Sequence, residues 1–290
     1  MTSTAGDHHA RSPELARFDR EPPAIELVGV TKRFATPKGG IYTALRSLDL
    51  RVEAGEFCAV VGPTGCGKST TLTLVSGLEP ASVGTVKVHG KPVTGIGDDI
   101  GFVFQNDAVF PWKTVLDNVC AGPRFRGRTR ADAQAAGRDW LRRVGLSGFE
   151  DRYPHQLSGG MRKRVALAQS LINEPRVLLM DEPFSALDVQ TRSIMANELL
   201  TLWDLTRPAV VFVTHDLEEA IALADKVVVL TAGPATVKAT FDVDLPRPRV
   251  VQEIRFDQRF VALYQQIWEA LRDEVEIAYA RSATAVQEAS

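Results

Sequence analysis

Leu157-Ser158-Gly159-Gly160-Met161 decides how this chain is read. Alone it is a polar turn opening a helix. Its neighbours along the chain change that. Upstream stands Gly62-Pro63-Thr64-Gly65-Cys66-Gly67-Lys68-Ser69, a complete match to G-x-x-x-x-G-K-[ST]. Downstream stands Val177-Leu178-Leu179-Met180-Asp181-Glu182, an apolar strand ending in two carboxylates. Many chains that bind nucleotides carry the outer two motifs. The Leu-Ser-Gly-Gly-Met insert between them narrows the choice.

A triphosphate is a dense anion and needs several donors converging on it with no side chains in the way. Gly62, Gly65 and Gly67 let backbone N–H groups curve around the phosphates. Lys68 supplies a point charge to the β/γ oxygens and Ser69 a hydroxyl to Mg2+. The helix that follows aims its positive dipole end at the same place. A Gly-rich turn also serves as a bare strand-to-helix connector, but the full pattern in a strand–loop–helix context favours phosphate.

Asp181 ends a buried strand, which suits a contact to Mg2+ through its water. Glu182, one residue later, points toward the γ-phosphate and is the candidate to polarise the attacking water. Adjacent acids are commonly just solvated charge, yet apolar strands seldom end that way, and Pro183 stops this one sharply. Gln105 follows Ile100-Gly101-Phe102-Val103-Phe104; its neutral amide can reach Mg2+ or its water and withdraw when the loop shifts. His215 follows Val210-Val211-Phe212-Val213-Thr214 and can contact the γ-phosphate and hold the water. A lone Gln or His at a strand end is more often structural; only the order of the motifs raises these two. The Ser158-Gly159-Gly160 turn again exposes N–H groups at a helix start. It is far from the first loop in sequence, so the economical reading is that it grips the γ-phosphate of ATP held by a second copy, with Ser185-Ala186-Leu187-Asp188 lining the interface.

The 290 residues fit one large domain, or one domain with an appendage. A 44% apolar and 24% charged composition is ordinary for a globular protein, and a net charge of −2 offers no nucleic-acid footprint. Cys58, Cys66 and Cys120 lack metal spacing and read as reduced thiols; Cys66 is open to modification. No apolar run approaches the roughly 18 residues of a membrane span, and the first 22 residues carry no signal-peptide core. Other chains are expected to supply any membrane spans.

Residues 1–22 read as a disordered tail. Strands are expected at Ile25–Val30, Leu48–Val52, Glu56–Val61, Val83–Val88, Val177–Met180, Ala209–Val213 and Lys226–Leu230, with helices at Lys68–Gly77 and about Val189–Trp203. Strands alternating with helices imply a parallel α/β core, beside a small antiparallel region. Residues 113 to about 156, rich in Arg and Ala, read as an inserted helical subdomain. Phe260, Leu263, Tyr264, Ile267, Trp268 and Leu271 recur at helical spacing after the break at Leu245-Pro246-Arg247-Pro248-Arg249, which implies an amphipathic helix docked on the core.

From about residue 24 to 245 the chain resembles an ABC transporter ATP-binding subunit, with every expected motif in order. The resemblance implies a P-loop NTPase fold: an α/β core over 23–245, a small antiparallel β subdomain, a helical subdomain at about 113–165, and a C-terminal helical extension over 246–290. It makes Gly62, Pro63, Thr64, Gly65, Cys66, Gly67, Lys68, Ser69 and Thr70 the Walker A loop that holds ATP. Lys68, Gln105, Glu182 and His215 take catalytic roles, and Ser69, Gln105 and Asp181 hold Mg2+. Ser158, Gly159, Gly160 and Asp188 meet ATP across the interface. Phe34 looks like the aromatic that stacks on adenine, with Tyr42 as rival. Val103-Phe104-Gln105, Phe110-Pro111-Trp112, Val115-Leu116-Asp117-Asn118-Val119 and the Leu245–Arg249 tail look like the nitrate/sulfonate/taurine importer branch. Met161 and Lys163 depart from the general signature, where Gln is usual, without removing a phosphate contact. The implied partners are a second copy, integral membrane permease subunits, and a periplasmic or lipid-anchored solute-binding protein acting through them, at the cytoplasmic face of the cell membrane; nucleic acid is not among them. The alternatives are the ATPase of an exporter and a soluble, non-transport ABC protein. The apolar Phe110-Pro111-Trp112 cluster either docks a permease helix or packs under the helical subdomain.

Overall fold

The computed structural model describes residues 22–37 and 39–288. Apart from Pro22, the expected tail lies outside the described residues. The chain runs β1 (Ile25–Ala35), β2 (Ile41–Val52), β3 (Phe57–Val61), α1 (Lys68–Val75), β4 (Val83–Val88), β5 (Lys91–Pro92) and β6 (Ile100–Val103). Then come α2 (Val115–Val119), α3 (Ala121–Phe125), α4 (Arg130–Arg143), α5 (Gly159–Leu171), β7 (Val177–Asp181), α6 (Val189–Thr206) and β8 (Ala209–Val213). Finally come α7 (Leu217–Leu223), β9 (Lys226–Leu230), β10 (Val237–Asp242), α8 (Val251–Ile254) and α9 (Gln258–Glu288).

The apolar runs form a 6-stranded sheet in the order β10-β9-β3-β8-β7-β6, parallel except where β10 meets β9. Both faces are covered, which is why β3 and β8 show no polar alternation. Phe57, Ala59 and Val61 pack into one core with α5, α6, α7 and the helical subdomain. Cys58 and Val60 face the second core, shared with the 4-stranded antiparallel sheet β2-β1-β4-β5. The β3, β7 and β8 strands therefore end at one edge, the crevice where open α/β sheets place ligands.

β2 begins at Ile41, not at Leu48 as its alternation suggested. Register shifts against β1 at Leu27/Val30, Val30/Lys32 and Lys32/Arg33 break the period-2 pattern. β10 had no expected counterpart; it is a half-exposed strand at the sheet edge.

The inserted segment from 113 folds as α2, α3 and α4, with a short turn at Pro154–Gln156 before α5. The buried Asn118 ties down the preceding loop, accepting from Phe110 N at 2.6 Å and donating to the carbonyls of Phe110, Lys113 and Thr114 at 3.1, 3.1 and 2.9 Å. Trp112 remains 72% exposed, so it does not pack beneath the subdomain.

Phe260, Ile267 and Leu271 of α9 are buried, while Tyr264 and Trp268 keep an open edge. The Leu245–Arg249 break is a structural clasp. The buried Arg249 guanidinium donates to the carbonyls of Ile221 (3.3 Å), Ala222 (3.3 Å) and Ala224 (2.6 Å) at the end of α7, and to Val243 (3.3 Å) and Leu245 (3.0 Å). Those α7 carbonyls have no intrahelical donor of their own.

Candidate active site

The loop between β3 and α1 is built on glycines at positive φ. Gly65 has φ 76° and Gly67 φ 121°, and a Cβ on Gly67 would lie 2.7 Å from Leu45 Cδ2. Gly67 caps α1 without a side chain, leaving the first-turn N–H groups of the helix for an anion. Lys68 is buried and donates to the Gly62 and Pro63 carbonyls at 2.9 and 3.0 Å. Cys66 is buried beneath the loop, and burial raises its thiol pKa against the lowering pull of Lys68.

Ser69 Oγ donates to Asp181 Oδ1 at 3.0 Å, joining the start of α1 to the end of β7. Burial raises the Asp181 pKa; the Ser69 bond and the Lys68 charge oppose this, while Glu182 adds to it. Glu182 has φ 43°, a left-handed conformation uncommon for a non-glycine residue and concentrated at functional sites. That turn carries its carboxylate to Oε2 contacts with Gln105 Nε2 at 3.4 Å and His215 Nδ1 at 3.1 Å. Lys68, Ser69, Thr64, Thr70, Gln105, Glu182, His215 and Tyr42 line one cavity of about 560 Å3. A hydroxyl, a carboxylate and an amide oxygen are hard donors, and Mg2+ is typically held by one or two carboxylates plus substrate phosphates.

Tyr42, not Phe34, lines this cavity. Phe34 sits directly opposite Tyr42 in the β1–β2 ladder, so the two rings share a sheet face, with Lys32 Nζ 4.8 Å from the Phe34 centroid. Ser158, Gly159, Gly160 and Asp188 do not line the cavity either. Ser158 caps α5, accepting from Met161 N at 3.3 Å. Asp188 caps α6, and the Thr191 amide and hydroxyl hold its carboxyl below the usual range. Thr191 also approaches Gly160, where a Cβ would lie 3.1 Å from its methyl. The signature turn and the Ser185–Asp188 loop are thus neighbours, apart from the Lys68 pocket.

Arg192 and Glu219 went unnoticed in the sequence, and Lys163 stood out only as a departure from the signature, with no structural role attached. Arg192 of α6 pairs with Asp216 at 2.8 Å, lies 3.5 Å from Glu219 and donates to Leu187 O at 3.3 Å, linking the Asp188 loop to the turn that carries His215. Glu219 accepts from Thr214 Oγ1 at 2.7 Å. Lys163 of α5 reaches the Gln105 loop. Arginine and glutamate on helices read as solvated charge, and nothing in the spacing of Arg192 and Glu219 separated them from the rest.

A P-loop beside an apolar strand ending in Asp-Glu, with a Ser-Gly-Gly helix start on a separate subdomain, defines an ATP-binding cassette. A family profile described as ABC transporter matches residues 45–185. An ABC transporter ATP-binding protein of Methanocaldococcus jannaschii is 43% identical over 91% of this chain and 97% of its own length. The nitrate import ATP-binding protein NrtD of Synechocystis sp. is 41% identical over 77% of this chain and 83% of its own. The taurine import ATP-binding protein TauB of Burkholderia thailandensis is 42% identical over 82% and 93%. Among solved structures, a dimeric ATP-binding cassette in a post-hydrolysis state with ADP and Pi superposes with a TM-score of 0.68 at 30% identity, covering 77% of this chain and all of the other. The chain belongs to the ATP-binding proteins of ABC transporters and is an ATPase of that class.

Proposed function

We propose that this chain energises an ABC importer for a small anion of the nitrate, sulfonate or taurine type, working as a homodimer against integral membrane permease subunits, with a solute-binding protein delivering the solute to them. Among the described residues no helix is long and apolar enough to cross a membrane; in this reading the permease supplies the spans and this chain works at its cytoplasmic face. The anion class rests on the likeness to the nitrate and taurine import proteins.

In this reading Lys68 and the Gly62–Thr70 backbone hold the phosphates. Ser69, Asp181 and the Gln105 amide would hold Mg2+, which would supply charge neutralisation to the phosphates. Glu182 orients and polarises the water, and His215 keeps that carboxylate aimed while touching the γ-phosphate. The Phe34–Tyr42 pair offers the base an aromatic face. Ser158, Gly159, Gly160 and Asp188 complete the site of a second copy. The observation that carries the reading is the convergence of Gln105 and His215 on one Glu182 oxygen, in the cavity of the P-loop lysine.

The permease contact is assigned to the groove of about 240 Å3 between β6 and the helical subdomain, where Phe104, Phe110 and Phe125 line an opening at the sheet edge. A deletion strain grown on single nitrogen or sulfur sources tests the solute: failure on nitrate, taurine or an alkanesulfonate, restored by the wild-type chain but not by Lys68→Ala, supports the reading. Normal growth on all three, with a defect on an unrelated solute, contradicts it.

A further inference from the structure

Gln105 leaves the end of β6, the edge strand of the 6-stranded sheet. Edge strands present carbonyls with no strand partner. Here α5 supplies the donors. Ser170 Oγ donates to Phe102 O at 3.0 Å, and Lys163 Nζ to Phe104 O at 3.3 Å and Gln105 O at 2.7 Å. The third acceptor around the ammonium is Asp107 Oδ1 at 3.3 Å. The Lys163 side chain is only 2% exposed. A buried ammonium is costly unless its three donors are met, and here they are.

The other Asp107 oxygen takes Arg162 Nε at 2.9 Å, and Arg162 Nη1 donates to Leu157 O at 2.8 Å. Leu157 leads into the Ser158 turn. A continuous run of charge-assisted hydrogen bonds therefore joins the carbonyl before the signature turn to the carbonyl of Gln105. Such bonds are stronger than neutral ones, and the run is anchored by its one fully buried member, Lys163.

We propose that Lys163 is a positioning residue for Gln105: it fastens the Gln105 loop to the helix that Ser158 caps, so that the signature turn and the amide facing Glu182 move as one body. The inference rests on the reading of Gln105 and Ser158 as parts of the ATP site.

The test uses the full chain and its ATPase, with ATP affinity measured separately by titration of a fluorescent ATP analogue. Lys163→Met is expected to lower kcat about tenfold, the cost of a lost charged hydrogen bond, while affinity at the P-loop changes less than about twofold. Lys163→Arg recovers most of the rate, since a guanidinium can still bridge the loop carbonyls and Asp107. The Lys163→Met/Gln105→Ala double variant is no slower than Gln105→Ala alone. Additive losses, or equal losses of affinity and kcat, overturn the proposal while leaving the active-site reading in place. Wild-type turnover by Gln105→Ala overturns both. Should Lys163→Met not fold, Asp107→Asn loosens the same ammonium from its more exposed side, and a normal kcat there also overturns the proposal.

Discussion

Ser69 and Asp181 are 112 residues apart in the chain, yet their hydroxyl and carboxylate meet at 3.0 Å. The contact sets the start of α1 against the end of β7 and gathers two hard oxygen donors beside Lys68. Burial makes ionised Asp181 costly, which a divalent cation beside it would offset.

Asp181→Asn is expected to raise the Mg2+ concentration needed for half-maximal ATPase and to lower kcat by about 10² to 10³, the range for one preorganised charge-stabilising group. A Mg2+ titration of ATPase activity checks this. An unchanged Mg2+ requirement would remove Asp181 from the metal site.

Trp112, 72% exposed and 5.7 Å from the Phe110 ring, contributes little burial to the subdomain. Trp112→Ala should leave basal ATPase and thermal stability near wild type and abolish stimulation by solute in the assembled transporter. Retained stimulation would place the permease elsewhere.

Much of this was legible in the sequence because it is local. The P-loop, the apolar strands and the order Gln105, Ser158, Asp181, His215 are written in contiguous residues whose period and punctuation survive folding. What was not legible depends on tertiary contact. Arg249 looked like part of a Pro-Arg break; only the fold brings it under the Ile221 and Ala222 carbonyls of α7 and that of Ala224, its C-cap. The start of β2 was hidden because bulges shift its register. The sequence favoured Phe34 over Tyr42 as the base partner, yet only Tyr42 lines the cavity, because the two sit opposite each other in a ladder whose register no local pattern shows.

Arg249→Met should destabilise the domain by about 1–3 kcal/mol, the cost of leaving buried carbonyls unpaired. Arg249→Lys should recover only part, since an ammonium cannot span acceptors on both sides as a planar guanidinium does. Urea unfolding measures both; a loss below about 0.5 kcal/mol would mean the clasp is incidental.

Burial pushes the Glu219 carboxyl up to about 7 from its ordinary 4.5, against the lowering pull of Thr214, Arg192 and His215 and with a further push from Asp216. Its folded-state pKa is raised, so between those values the folded chain holds more protons than the unfolded one. The stability this group contributes is greatest below about 4.5 and is lost as pH rises through about 7. Relative to Glu219→Gln, the wild type should lose stability across that window by up to about 1.4 kcal/mol per pH unit. Denaturant unfolding of both proteins across the window gives the difference; a constant gap would contradict the buried-carboxyl account.

The central claim is that each ATP is held between the P-loop of one copy and the signature turn of another, because Ser158, Gly159 and Gly160 do not line the Lys68 cavity of their own chain. Lys68→Ala and Ser158→Arg homodimers should both fail to trap ATP. Pairing one chain of each leaves one composite site whole and loads both lesions into the other. The account predicts that photocrosslinking recovers trapped ATP from this heterodimer, bound to the Ser158→Arg chain. A heterodimer that traps no ATP, as expected if each site were built within one chain, would contradict it.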